Sequence, residues 1–563
     1  MLAREALQQE RLVWLLTLTI RGRAYRFSTE PLAVANADDL LGPAVLQFSS
    51  GLTFLEYEDT IGLFDSEASA REVSISVLFQ QGQATGWTAI SDPTRDIGTA
   101  TGELSLLVEG SDYTDREIIV SGFLGSPQYG SRFEPVEFTI TESDWTDAAL
   151  MPPPGAKVRK ATWPKTTGGG HTIRRDDAAK GQHYPWIFGE PGSHPPPEWW
   201  GKGSSRMAMT PALLVQIDTD DENNMAQPAK ILLAGHAVYL PNSPQVHIYN
   251  EETGRWFSST PVHEADGRGR TVTTTTATAS GTSATDYIEP GDGLWVAWTG
   301  AGGVPNVHHT GPASGAGEVI SHLLDWSQLR IDTLRARVVL DEVDGFRLDF
   351  WVNEPRAPFD IIKEDILPLL PLSPQVRQEG LAFVYWNWAA RASDAVALLN
   401  VDAELGERIS AVEVSPIEDV YNTVRIDYCQ DGPDGEYRKT IVYSHENPDD
   451  DDDISTNPYS WASFTRYGKR EGLVIEAPII ERDETARAVL DWKLHYHSQT
   501  HRTVSYRMPQ AWQAREVGDV VLVTDSIIGW SSVVCLITSM IRVPGRTDLT
   551  VPTVADWARD RLQ

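Results

Sequence analysis

The chain has 563 residues with 47 Lys and Arg against 79 Asp and Glu, so its formal net charge is 47 − 79 = −32. At roughly 100–200 residues per domain, that length implies about three to five domains rather than one core. With 41% hydrophobic and 22% charged residues the composition excludes a largely disordered chain. The shortage of positive charge argues against gripping nucleic-acid phosphates, but not against a conduit that nucleic acid passes.

Two cysteines, Cys429 and Cys535, exclude a disulfide framework and a four-thiolate metal site. Each lies in an apolar run, so buried free thiols are expected. The apolar run Leu12–Ile20 is far short of the ~20 residues of a membrane helix and lacks a small-residue cleavage site. The expectation is a soluble chain with no membrane-spanning segment and no export signal of its own.

Residues 1–150 read as an N-terminal β domain. Two runs within Thr17–Phe27 flank Arg21-Gly22 as a hairpin. Val73, Ile75, Val77 and Phe79 alternate with Ser74 and Ser76. Leu104–Val108, Glu117–Val120 and Val136–Ile140 are further short strands. Residues 151–205 hold MPPPG, TTGGGH and GEPGSHPPPEWWGKGSS and read as a semi-extended Pro/Gly-rich connection. Residues 206–315 form a second β-rich domain, with strands starting at Leu213, Ile231, Val246, Trp256 and Leu294. Within it, Thr271–Thr285 is of low complexity and suits an exposed strand or a loose loop.

Residues 316–425 read as an α+β middle domain. Val319, Ile320, Leu323 and Leu324 fall on one helical stripe. Leu334–Leu340 and Phe346–Trp351 read as strands around a turn at Asp344-Gly345. Phe359–Leu370 reads as a short helix that Pro368 ends or kinks. A helix is also expected from Ala392 to Leu399, capped by Ser393 or Asp394. Residues 426–563 read as a C-terminal β-barrel-like domain on which a helix over residues 483–497 packs. Asp483 is its expected cap, and Ala486, Val489, Leu490 and Leu494 form its buried face. The fold class is therefore mainly β with some α+β: several small barrels or sandwiches.

The candidate sites are weak as chemistry. His495, His497 and His501 lack the Glu of a zinc-protease helix and sit near a helix end, where histidine suits the dipole. His263-Glu264 lacks a second histidine. Asp218–Glu222 has Asn223 and Ala229 where a calcium loop needs Gly and Glu, and reads as a hairpin tip. Asp449–Asp453 reads as a solvated acidic loop. Gly168–Gly170 is followed by His171 instead of Lys-Ser/Thr, so it is no phosphate cradle. No catalytic, cofactor or metal residues are assigned, and no cofactor is expected. Trp186, Trp199 and Trp200, in the Pro/Gly segment, are interface candidates because burying them needs a covering surface.

Several phrases resemble the tail hub proteins of long-tailed bacteriophages and gene transfer agents. They are Tyr467–Arg470, Ile475–Pro478, the Asp483–His497 helix and Glu516–Asp519; then Ile366–Pro371 with Leu381–Trp386, and Gly345–Asp349 with Asn353–Pro355. Leu233–Ala237, Tyr184–Gly189, Gly110–Arg116, Pro127–Gly130 and Glu134–Phe138 resemble segments of phage tail proteins. The resemblance implies a non-enzymatic virion protein at the tail tip or baseplate, made in the host cytoplasm and assembled as a homotrimeric ring. Its implied partners are the distal tail or tail tube protein, the tape measure protein and a central spike or fibre. Genomic double-stranded DNA would pass through the lumen without specific binding. The competing expectation, from the tryptophans and carboxylates, is a tail-tip glycan-binding or cell-wall-degrading protein.

Overall fold

The computed structural model describes residues 12–20, 23–37, 45–50, 52–60, 72–78, 100–125, 128–129, 135–142, 150–159, 166–168, 171–174, 179–191, 210–218, 229–240, 245–250, 255–259, 262–263, 270–275, 294–299, 313–327, 333–377, 380–403, 406–430, 435–445, 454–543 and 545–554. Strands dominate, divided among several sheets with few helices.

The N-terminal hairpin forms as its pattern requires: Leu12–Ile20 pairs antiparallel with Arg23–Ser28, Ile20 opposite Arg23. Val73, Ile75 and Val77 are buried, as alternation demands, although Ser76 is buried too. Phe79 lies outside the described residues. Strand Leu12–Ile20 is apolar on both faces because it has a core on each side. Trp14, Leu16 and Leu18 face one cluster; Val13 and Leu15 face Phe48 and Tyr113.

The N-terminal strands do not close on themselves. Leu52–Thr60 pairs antiparallel with Ser539–Val543, Thr60 opposite Ser539 and Tyr57 opposite Arg542. One fifteen-stranded sheet thereby holds both strand Leu12–Ile20 and strand Arg546–Pro552. The second β-rich block is a nine-stranded sheet containing the expected strands from Thr210–Asp218 to Leu294–Thr299. The hairpin Thr166–Gly168/His171–Arg174 is attached to it.

In the middle region, Ala316–Ser327 is the expected helix, with Val319, Ile320, Leu323 and Leu324 buried. Thr333–Asp341 is a helix and not the expected strand. A strand would hide residues 336, 338 and 340 together. Here Ala336 and Leu340, one helical turn apart, are buried while Val338 is 66% exposed. Residues 358–369 begin as an α-helix, widen to a π-turn over Ile362–Ile366 and tighten to a 3₁₀ turn holding Pro368. The helix expected over residues 392–399 is a single 3₁₀ turn, Ala392–Asp394, followed by strand Ala397–Asn400. The Asp394 carboxylate takes the Arg391 amide and closes the turn.

Helix Asp483–His497 has its expected ends and buried face. Asp483 does not cap it; the carboxylate instead takes the Tyr428 hydroxyl at 3.0 Å and Lys439 Nζ at 2.7 Å. The helix packs on strands Thr423–Gln430 and Tyr437–Ser444, in one core with helix 316–327. The C-terminal strands enclose a separate core around Trp386, Trp388, Tyr506 and Trp530. Position 425/426, where the sequence suggests a boundary, falls inside Thr423–Gln430. Both cysteines are buried and free.

Candidate functional site: an inter-module joint

The segment Tyr184–Gly189 is aromatic and β-branched, which favours a strand, and it sits within the Pro/Gly-rich connection. Trp186–Phe188 pairs antiparallel with Phe350–Val352, Phe188 opposite Phe350 with their rings stacked at 4.9 Å. Residues 185, 187 and 189 turn their backbone groups to the opposite edge. There the Pro185 carbonyl accepts from Gly235 N–H at 2.8 Å, and Gly189 N–H donates to the Ala313 carbonyl at 2.9 Å. Between them Ile187 N–H donates to His236 Nε2 at 3.0 Å. An imidazole thus occupies the place a neighbouring strand would take.

His236 is held from both sides. Its Nδ1 lies 2.8 Å from the Ala237 carbonyl, and its own carbonyl accepts from the Thr271 hydroxyl at 3.0 Å. The Trp186 ring lies 4.8 Å away. Burial pushes the imidazole down to about 4, with nearby His322 and His263 acting in the same direction. Gly235 is required by the close approach, since a Cβ there would meet Tyr184 Cβ at 2.6 Å.

The next residues reach a second anchor. Asp349, almost fully buried, takes the Glu190 amide on Oδ1 at 2.7 Å and Arg482 Nε on Oδ2 at 3.3 Å. Arg482 also reaches Glu190 Oε2 at 3.4 Å, and Asp349 N–H donates to the Ile479 carbonyl at 2.9 Å. Gly189 sits at φ +67°, and a Cβ there would collide with the Leu348 carbonyl and the Asp349 carboxylate.

The remaining phrases continue the chain of contacts. Trp492 Nε1–H, on helix 483–497, donates to the Leu369 carbonyl at 2.9 Å. Trp386 donates from its amide to Pro371 at 2.9 Å and from its indole to Ser373 Oγ at 2.8 Å. Gly518, at φ +93°, faces Val384, whose Cγ1 would lie 2.6 Å from an added Cβ. Segments scattered from residue 184 to residue 518 are therefore tied to one another by specific contacts.

Of the tryptophan candidates, Trp186 lies within this joint, covered by His236 and by Trp326 at 4.9 Å; the chain itself supplies the covering surface. Trp199 and Trp200 lie outside the described residues, as do Asp449–Asp453, Glu264 and residues 219–222. Asp218 ends a strand, and His263 Nε2 lies 3.0 Å from the Val238 carbonyl. His495 packs edge-on against Tyr459, His497 Nδ1 lies 3.1 Å from the Asp419 carbonyl, and His501 stacks on Tyr496 at 4.6 Å. Among the described residues no three His, Cys, Asp or Glu side chains gather as a metal site. Asp349, Arg482, Glu190 and His236 were not legible as a site, because their partners lie 49 to 292 residues away in sequence. Together these charged and polar groups fix three segments of backbone.

Residues 367–536 match the model of a family described as putative phage tail protein. No curated protein matches. A tail protein from Neisseria meningitidis is 9% identical over 97% of this chain and 98% of its own, with a TM-score of 0.34. A chain of the virion of a native gene transfer agent particle is 13% identical over 53% of this chain and 84% of its own, TM-score 0.19. A chain of the p2 virion baseplate in its activated conformation is 11% identical over 69% and 89%, TM-score 0.18.

Proposed function

We propose that this chain is a structural hub at the distal end of a phage tail, a homotrimeric ring joining the tail tube or distal tail protein to a central spike or fibre. The tape measure protein is its neighbour above, and genomic DNA leaves through the lumen. The supporting observation is where the phage-tail match falls: residues 367–536 include Leu369, Trp386, Arg482, Trp492 and Gly518, each of which makes one of the contacts that tie distant segments together. A part that must transmit load between neighbours needs modules fixed to one another, and this joint does that. The proposal is non-enzymatic: the polar groups of the joint are turned on backbone and on each other, and Trp186 is stacked inside rather than offered to a sugar.

The net charge of −32 fits a conduit. Carboxylates facing a lumen repel phosphates and keep a duplex from sticking. Light scattering on the purified chain tests the assembly: three chains of 62.3 kDa are expected in one particle. A monomer both in solution and in a virion map, or purified protein that clears host cell wall, overturns the reading. A lumen lined mainly by Lys and Arg overturns the electrostatic part.

A further inference from the structure

We propose that His236 is an acid-operated catch: uncharged, its ring holds strand Trp186–Phe188 against the nine-stranded sheet, and protonation releases that strand edge. The geometry allows one protonation state. Nε2 must carry a lone pair to accept the Ile187 N–H at 3.0 Å, and Nδ1–H is the donor to the Ala237 carbonyl at 2.8 Å. A second proton would set N–H against N–H and leave the Ile187 amide buried without an acceptor.

The surroundings offer the charged ring no compensation. His322 on helix Ala316–Ser327 and His263 on strand Val262–His263 both act against a charge on the ring. Arg270, next to Thr271 in sequence, holds its guanidinium 5.9 Å from the Tyr184 ring. Strand Trp186–Phe188 presents Trp186. Asp325 acts on His322, and among the described residues no carboxylate acts directly on His236. A protonated ring therefore sits charged in a buried place where the Ile187 amide has lost its acceptor.

The sign follows from linkage. The opened segment binds the proton with the ordinary imidazole value near 6.5, whereas the closed one binds it only at about 4. Closure is at full strength above pH 6.5 and weakens as pH falls towards 4. Over that window the opened fraction rises by about two orders of magnitude. The consequence is a weakening at a defined place: the imidazole bond to Ile187 is lost, the Gly235-to-Pro185 hydrogen bond on the same edge remains, and the Phe350–Val352 pairing on the other edge stays.

Hydrogen exchange of the full-length chain, corrected for intrinsic rates, tests this between pH 7.5 and 3.5. Protection of the Ile187 amide should be lost with falling pH in wild type, while the Trp186 and Phe188 amides, on the edge facing Phe350–Val352, stay protected. In His236→Gln, whose amide can both accept and donate without titrating, the pH dependence should disappear. Loss of protection on the same pH profile in both proteins, or retained protection in wild type at pH 3.5, overturns the proposal. Should the variant fail to fold, ¹⁵N-histidine spectra of wild type decide. An Nδ1–H tautomer at pH 7, titrating near 4, supports the catch; an Nε2–H tautomer or an imidazolium at pH 7 refutes it.

Discussion

Asp349 Oδ1 accepts the Glu190 amide at 2.7 Å, across 159 residues of sequence, while Arg482 holds the other carboxylate oxygen at 3.3 Å. One buried side chain therefore ties together the connection, the middle region and the start of helix 483–497. Asp349→Ala should lower stability by about 1–3 kcal/mol, since it strands a buried amide and removes the partner of Arg482. Asp349→Asn keeps an acceptor for Glu190 and should cost less. A double-mutant cycle with Arg482→Ala, read from denaturant midpoints, should return a coupling of about 0.5–3 kcal/mol. Strict additivity would show that the two residues act independently.

Gly189 precedes that anchor at φ +67°. Its replacement by Ala meets two obstacles: a left-handed backbone that a Cβ disfavours by about 1 kcal/mol, and a collision with the Leu348 carbonyl and Asp349 carboxylate. The Asp349 interactions should be disturbed along with the turn. Gly189→Ala is expected to destabilise by about 3 kcal/mol or more, with loss of amide protection at Glu190. Gly155→Ala, where an added Cβ meets nothing within 4 Å, is the matched control and should leave the melting temperature nearly unchanged.

How much of this was readable in advance depended on the range of the forces. Helix 483–497 and strands such as Val73–Val77 were legible because burial follows a local period. Leu334–Leu340 reads as a strand because Val338 and Val339 favour one locally, whereas the helix is selected by packing against helix 316–327. The Pro/Gly connection was half legible: its breakers were plain, but within Tyr184–Gly189 lies a buried strand, Trp186–Phe188, whose two edges are supplied from elsewhere. For the same reason Trp186 could be recognised as needing a cover, while Trp326 and His236 as that cover could not.

Tyr506 is fully buried, and its hydroxyl donates to Asp525 Oδ2 at 3.2 Å. Burial first, and the Asp525 charge second, hold this phenol above its ordinary range; Tyr428 is raised in the same way beside Asp483. Above pH 10 the unfolded chain releases these protons while the folded chain keeps them, so stability falls as pH rises from there. Absorbance at 295 nm should show late-titrating tyrosines that appear only on unfolding. Tyr506→Phe should reduce both that late fraction and the alkaline slope of stability. It should cost about 1–2 kcal/mol at neutral pH, because buried Asp525 loses a donor.

Residues 1–150 read in sequence as an N-terminal β domain, and their strand Leu52–Thr60 continues the ladder of Ser539–Val543. Gln510 Nε2–H also donates to the Leu12 carbonyl at 2.9 Å, and Ala514 packs against the N-terminal core. A chain beginning at residue 151 would uncover the free edge of Ser539–Val543, and an unpaired edge seeks another strand. Such a truncation should self-associate, visible as concentration-dependent light scattering, while its helix 483–497 remains protected from exchange. Ile541 is the residue to modify, since Met540 and Arg542 on either side are buried and it is only partly so. In the truncated chain Ile541→Lys should restore a soluble, non-aggregating protein by placing a charge beside the free edge. A truncation already as monodisperse as the full-length chain would mean that the shared ladder carries little of the attachment.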